Sequence, residues 1–502
     1  MKTRYMWPAI LLIMLIALVL NSQISLSQEK QKPVKDQAKM SKDEIPITTT
    51  SQDARQKYIE GLGYLENIQI EKAKSSFQEA VKADPNFALG YFGLAQTGSG
   101  FTAIKENYDK AEKNMKNISE GEKHLISFAK SQFEGNTSQA QKEIQQLTNM
   151  FPKDKRVHFY AAQLEFNTNR DYDAVIKSLR KAIDIDKNYA PAYNLMGYAY
   201  SFKNDFNKAE NAFKKYISLA PDNPNPYDSY AELLLKNGRY DESIKQYQKA
   251  LKIDPTFMSS IEGIGNNYLF KNDFAKAREN YQALYDKAPS ANWKINSLYD
   301  QAVSFVREGD ITNALSTLEK RVSLGESEGL IPSVINSHRM QGFILAENGK
   351  ADEAMKHYDM AKEKLEGSSL PEGIKNNLTN QIKLDRLYGM VALGQIDNAS
   401  SEMKSKEQVI GSSGNAQDEK DYELISGILA YKQNKFDEAL SHFSKSDDQS
   451  PLNWYYMAMA YQKKGDDQKS NQMLDKIRKS NQNSLELAVA NNHAKETVAQ
   501  TK

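Results

Sequence analysis

Apolar and polar residues recur along this chain with the period of an α-helix, and the helical stripes come in pairs. With Ala190, Pro224 and Met258 each taken as position 1, position 4 holds Tyr193, Tyr227 and Ile261, position 8 holds Gly197, Ala231 and Gly265, and position 11 holds Tyr200, Leu234 and Tyr268. These positions fall on one stripe of a helix. Position 20 then gives Ala209, Ser243 and Ala277, position 24 gives Phe213, Tyr247 and Tyr281, and position 27 gives Tyr216, Ala250 and Leu284, the stripe of a second helix. Between the stripes stand turn-forming residues such as Asn204 with Asp205, Asn237 with Gly238, and Asn272 with Asp273. Pro221, Pro255 and Pro289 recur every 34 residues and stop the second helix. Each period is therefore predicted to be a helical hairpin, with small residues at positions 8 and 20 where the two backbones approach and aromatics at 11 and 24 filling the space around them. One such hairpin is marginal alone, so stacking on its neighbours must supply the core.

The same frame appears at Gly61, Tyr64, Ala73, Phe77, Ala80 and Pro85 within 54–87, and at Phe159, Phe166, Leu179 and Ala182 within 156–189. It is degenerate in 88–120 and clearer again at Ala140, Ile144, Leu147 and Pro152 within 121–155. Later copies carry Ala302, Phe305, Ala314 and Leu318; Gly342, Leu345, Ala354, Tyr358 and Ala361; Gly427, Ala439, Phe443 and Pro451; and Trp454, Ala458, Tyr461, Ser470 and Leu474. The pattern resembles the tetratricopeptide repeat. That resemblance implies an all-α, right-handed α-solenoid of about twelve helix-turn-helix repeats. Repeats follow closely over 54–291 (54–87, 88–120, 121–155, 156–189, 190–223, 224–257, 258–291). A looser block covers 292–484, with extra residues near 292–294, 329–334, 369–379 and 414–419. The stretches Gly367–Gly373 and Gly411–Gly414 read as loops, and 485–502 as a capping helix and tail. The array is either one continuous solenoid or two blocks meeting near 292.

The N-terminus reads differently. Lys2 and Arg4 precede an uncharged run from Met6 to Leu20, and Ser25 and Ser27 follow, the layout of a secretory signal over 1–27. The run falls short of the roughly 20 residues that span a bilayer, so cleavage after Ser27 is expected over retention as an N-terminal anchor. Residues 28–53 are polar and read as a flexible leader. The expected location is periplasmic or extracellular. Ile45–Ser51 is similar to the leader of secreted tetratricopeptide proteins of Gram-negative bacteria.

Composition removes several kinds of function. Lys and Arg total 66 against 65 Asp and Glu, which leaves no basic field for nucleic acid. The absence of cysteine excludes disulfides, thiolate zinc sites and a cysteine nucleophile. The six histidines are scattered, so no metal site is expected, and no phosphate loop, nucleophile elbow, dinucleotide fingerprint or kinase signature occurs. No catalytic residue and no cofactor are assigned. Acidic pairs such as Asp241 with Glu242, Asp352 with Glu353 and Asp437 with Glu438 open second helices, where they meet the positive helix end.

A surface remains. In the family that the pattern resembles, positions 2, 5, 9 and 12 of the first helix line a concave groove that holds an extended peptide or a partner helix. Carried over, the groove is lined by Tyr58, Phe92, Tyr160, Asn194, Tyr198, Asp228, Glu232, Glu262, Asn266, Arg339 and Phe343. Family members that clamp a C-terminal carboxylate place Lys and Asn at fixed groove columns, whereas Asp228 and Glu262 stand where Lys is expected. Asp228, Glu232 and Glu262 are instead expected to converge as an acidic segment for a basic or polar stretch of a partner. The expected function is a non-catalytic scaffold for a protein or peptide. The alternative is a glycan-binding or enzyme-accessory protein of the cell envelope, with Asn194 and Tyr198 paired in one open cleft.

Overall fold

Every predicted stripe becomes a helix. The computed structural model describes residues 43–98, 100–411 and 416–500, so the predicted signal over 1–27, most of the leader and all but Gly411 of the predicted 411–414 loop lie outside the described residues. Among the described residues there are 25 α-helices, one short 3-10 turn and no strand. Within each of the two compact units of the chain, helices pair into hairpins and neighbouring hairpins pack together, as Gln52–Glu66 with Ile70–Ala83 and Ala190–Phe202 with Phe206–Leu219 in the first, and Ala291–Glu308 with Ile311–Ser327 and Pro451–Lys463 with Asp467–Lys479 in the second. The degenerate stretch still forms a hairpin, Ala88–Gln96 with Phe101–Lys113.

The turns follow from backbone chemistry. One residue between the helices of a hairpin takes a left-handed conformation: Asn204 at φ 59°, Gly238 at 72° and Asn272 at 59°. Asn and Gly tolerate this region, while Ile68 and Arg170, both at φ 58°, hold the same place at a steric cost. The next residue often caps the second helix, as where Asp205 accepts from the Lys208 N–H and Asp273 from the Lys276 N–H. Ser243, the polar member of the small column, donates its hydroxyl to the Ala231 carbonyl at 2.7 Å and so remains compatible with full burial.

The extra residues of the second half lengthen first helices more than they lengthen loops. First helices of 13 residues at Ala190–Phe202 and Pro224–Lys236 give way to 18 at Ala291–Glu308, 17 at Ile331–Glu347 and 21 at Glu372–Ala392. Only Gly367–Pro371 of the predicted 367–373 loop lies outside a helix.

The chain divides into two compact units, and the division falls at the start of helix Met258–Phe270, about one repeat before 292. Of the described residues, the N-terminal unit comprises those to Asn237 together with Asp241–Ser260; the C-terminal unit comprises Gly238–Tyr240 and those from Ile261 onward. Apolar cores of the N-terminal unit gather around Phe77, Phe87 and Leu147 and around Phe166, Leu179 and Phe213. In the C-terminal unit they gather around Ile335, Leu365 and Ile382 and around Leu345 and Tyr358.

Candidate functional site

The first-helix positions of the N-terminal unit are mostly turned inward. Tyr58 is 2% exposed and packs on Phe77 and Phe87 at ring separations of 5.5 and 5.4 Å. Phe92 is buried, and Tyr160 is half-buried against Phe128. Asn194 and Tyr198 are both buried, so they do not line one open cleft. The Tyr198 hydroxyl lies 3.2 Å from Ser229 Oγ and donates to Glu232 Oε2 at 2.5 Å, while the Ser260 hydroxyl donates to Asp228 Oδ1 at 2.7 Å. Burial pushes the Glu232 carboxyl up to about 7 against the opposing effect of the Tyr198 hydrogen bond. Burial, reinforced by the Glu232 charge, holds the Tyr198 phenol well above its ordinary range.

Two segments of the chain itself lie over this unit. The end of helix Gln52–Glu66 reaches the starts of later first helices: Arg156 Nε donates to Glu66 Oε1 at 2.7 Å and Asn223 Nδ2 to the Asn67 carbonyl at 2.8 Å. Ahead of that helix, residues 45–49, expected within the flexible leader, are fixed. Ile45 and Ile47 alternate with exposed Pro46 and Thr48 and enter the apolar core. The Ile45 N–H donates to Asp154 Oδ2 at 3.0 Å, the Thr48 N–H and hydroxyl donate to the two oxygens of Glu122 at 2.7 and 2.6 Å, and the Thr49 hydroxyl donates to Asp84 Oδ2 at 2.5 Å. Asp154 caps helix Lys155–Asn167, and Glu122 closes a capping box with Ser119 at the start of Glu120–Phe133. Two carboxylates that order helix starts, with Asp84 at the end of helix Ile70–Ala83, thus also hold an extended peptide. Composition concealed this segment, because two isoleucines among polar neighbours barely register; their alternate spacing was the available signal.

In the C-terminal unit, Glu262 is buried and Asn266 half-buried. Asn266 Oδ1 accepts from the Tyr281 hydroxyl at 2.7 Å and from Asn483 Nδ2 at 2.8 Å, and the same Asn483 amide donates to Asp300 Oδ1 at 2.9 Å. Asp300 is fully buried; burial first, then the Glu262 charge, drives its carboxyl well above the usual range. Arg339 is committed internally: fully buried, it donates to Asp385 Oδ2 at 2.5 Å, to Gln381 at 2.8 Å and to Asn336 at 2.9 Å. Phe343 is buried with its ring 5.5 Å from that of Tyr388.

The residue that sequence reasoning placed in an end cap, His493, proves central. His493 Nε2 lies 2.5 Å from Glu347 Oε2, and Glu347 also accepts from the Tyr388 hydroxyl. Burial works against the charge of His493, but the Glu347 carboxylate outweighs it and raises the imidazole pKa. Elsewhere in this unit His338 and His357 face each other at 3.4 Å, both held below the ordinary imidazole value by burial. No group of three His, Cys, Asp or Glu suited to a metal ion occurs among the described residues, and no described helix is long and apolar enough to cross a membrane.

With the hairpins and their buried inner faces described, comparison with known proteins gives the same repeat. Tetratricopeptide repeat models match residues 133–190, 190–223, 212–245 and 453–484, and a further TPR repeat model matches 231–260. The chain is 26% identical over 219 residues to anaphase-promoting complex subunit 3 of Schizosaccharomyces pombe, a match covering 41% of this chain and 31% of that protein. It is 24% identical over 221 residues to Hsp70-Hsp90 organizing protein 2 of Arabidopsis thaliana, covering 38% of each. The matches therefore span well under half the length of these relatives. Among solved structures, MamA is similar at 17% identity and a TM-score of 0.26, covering 42% of this chain and 93% of that one. YrrB, described as a TPR protein with an unusual peptide-binding site, is similar at 16% identity and a TM-score of 0.26, covering 36% of this chain and 91% of that one. The chain carries tetratricopeptide repeats.

Proposed function

We propose that this tetratricopeptide repeat chain is an exported, non-catalytic scaffold that holds a protein or peptide partner against the first-helix face of its stacked repeats, in the periplasm or outside the cell. The observation that carries the reading is the extended segment Ile45–Thr49, held by carboxylates at the end of the first hairpin (Asp84), in the third (Glu122) and at the start of the fourth (Asp154). Two of its contacts are made by main-chain N–H groups, which any extended peptide possesses, so the repeats already recognise peptide backbone in cis. The names of the relatives, a subunit of a complex and an organizing protein, agree with a role in assembly. Export rests on the charged, apolar and small-residue order of 1–27.

Site-specific photo-crosslinking in the native envelope tests the reading. Crosslinkers at Gln96 and Tyr160, on first helices, are expected to capture a partner that exposed Lys181 and Lys249, on second helices, do not. Capture from the second-helix positions alone would sink it. An intact mass beginning near Gln28 is the expected mark of export, and a membrane-bound form retaining Met6–Leu20 would contradict cleavage.

A further inference from the structure

A helix that merely closed the end of a stack would touch the last hairpin. The C-terminal helix Leu485–Gln500 does more: it packs on Ala291–Glu308 and Pro451–Lys463, both first helices, as well as on its predecessor Asp467–Lys479. It occupies the first-helix face of the C-terminal unit. Its opening turns are enclosed, with Leu485, Leu487, Ala488 and Ala490 at 0% exposure. Small and branched side chains at consecutive positions let the helix backbone approach its neighbours on every side. Polar contacts fix the register at both ends of the apolar stretch. Before it stands Asn483, on Asn266 and Asp300; after it, Asn492 Nδ2 donates to the Val306 carbonyl at 2.7 Å and His493 pairs with Glu347.

The seat is not fully satisfied by this occupant. Asp300 Oδ2, on a fully buried side chain, has no hydrogen-bond partner, and neither has Asn483 Oδ1. A buried oxygen left without a donor loses the hydrogen bonds that water gave it and gains none in return. Both N–H groups of the Asn483 amide are already used, so a residue in its place carrying a further donor, such as a lysine or arginine, would remove that deficit.

We propose that the first-helix face of the C-terminal unit is a receptor for an α-helix, held in cis by Ser480–Gln500 until a partner helix of the same chemistry replaces it. That chemistry is a cationic or amide donor for Asp300, about two turns of Leu, Ala and Val, and a protonatable donor for Glu347. The inference rests on the scaffold reading above and names the kind of partner this unit takes.

Around His493 the other titratable groups are Glu496 on its own helix, Glu347 from Ile331–Glu347, Lys432 from Ala416–Lys432, and Tyr455, whose ring lies 5.2 Å away. The Tyr388 hydroxyl donates to the Glu347 carboxylate, and Tyr456, hydrogen-bonded to Tyr388, lies within reach of its charge. A free peptide histidine titrates near 6.5, and the docked one is raised, so docking is tightest below about 6.5 and weakens as pH rises through the docked value.

The test uses the full chain with Leu487→Asp and Ala490→Asp, which expel the cis helix, and a fluorescent peptide of the sequence Ser480–Gln500 as probe. Anisotropy is expected to show binding to the double variant about tenfold tighter than to the unaltered chain at about pH 6. Peptide carrying His493→Ala should bind about tenfold more weakly there and lose the pH dependence, and peptide carrying Asn483→Lys should bind more tightly. Equal binding to variant and unaltered chain, or no binding to a variant that still melts cooperatively, overturns the proposal. Should the double variant fail to fold, the full chain with His493→Ala serves, and peptide binding no stronger than to the unaltered chain overturns it equally. Failure of the peptide with partner crosslinks intact at Gln96 and Tyr160 removes this inference alone; loss of those crosslinks with peptide exchange intact removes the scaffold assignment of the N-terminal unit instead.

Discussion

Phe213 packs its ring so closely on Gly197 that a Cβ built on the glycine would stand 2.6 Å from ring atoms Cε1 and Cζ. The same relationship, always sixteen residues apart, joins Gly61 to Phe77, Gly265 to Tyr281, Gly342 to Tyr358 and Gly427 to Phe443, with closest approaches of 2.4–2.5 Å. The small column and the aromatic column of the repeat are therefore the two halves of one contact.

Gly197→Leu should destabilise the N-terminal unit by about 1–3 kcal/mol through overpacking. Gly63, which has nothing within 4 Å of a built Cβ, provides the control. Thermal melting of Gly197→Leu and Gly63→Leu should separate clearly; equal midpoints would mean that the ring yields without cost.

Glu232 sets a pH dependence. Its carboxyl titrates near 4.5 when exposed and about 7 in the fold. A raised carboxyl pKa means that the fold favours the protonated form. The contribution is complete below 4.5 and is lost as pH rises through about 7. Glu232→Gln keeps an acceptor for Tyr198 and removes the titration, so its melting temperature should exceed that of the unaltered chain at about pH 8 and approach it at about pH 5. Parallel curves across that range would contradict the assignment.

Arg339 and Asp385 are 0% and 3% exposed, so breaking the pair strands a charge. Asp385→Ala should cost about 3–5 kcal/mol in urea unfolding, and Arg339→Met with Asp385→Leu should recover most of the loss. A double variant as unstable as the single one would show that the other Arg339 partners, Asn336 and Gln381, also require the guanidinium.

Ile47 is 7% exposed, and its alternation with Ile45 places both in the core. Ile47→Asp should release the extended segment, which limited proteolysis would read as faster cleavage between 43 and 51. The accompanying loss of apolar burial corresponds to roughly 1.5–3 kcal/mol. Unchanged cleavage would place the hold on the segment in its polar contacts alone.

The hairpins were legible because each depends on residues a few turns apart, such as Gly197 with Phe213 or Asp205 with the Lys208 N–H, and such contacts leave a periodic trace. The surroundings of Tyr58, Tyr198 and Arg339 were less so. Their columns place them on the first-helix face, but whether that face meets solvent depends on chain segments far away in sequence. Asp228 and Glu232 lie in one unit and Glu262 in the other, a division that equal column numbers do not reveal. The helix after Leu485 had the periodicity of a cap, and periodicity is blind to which neighbour a helix chooses.

The two kinds of contact also differ in when they can form. A glycine and an aromatic ring sixteen residues apart meet after closure of a short loop, so hairpins can assemble early and quickly. Asn223 with Asn67, 156 residues apart, and Asn483 with Asn266, 217 apart, must await most of the unit to which each pair belongs. Changes at these long-range contacts should appear mainly in the rate of unfolding, leaving the rate of folding nearly untouched, whereas changes at Gly197 or Phe213 should slow folding itself. The segments laid over the repeats thus govern how long each assembled unit lasts.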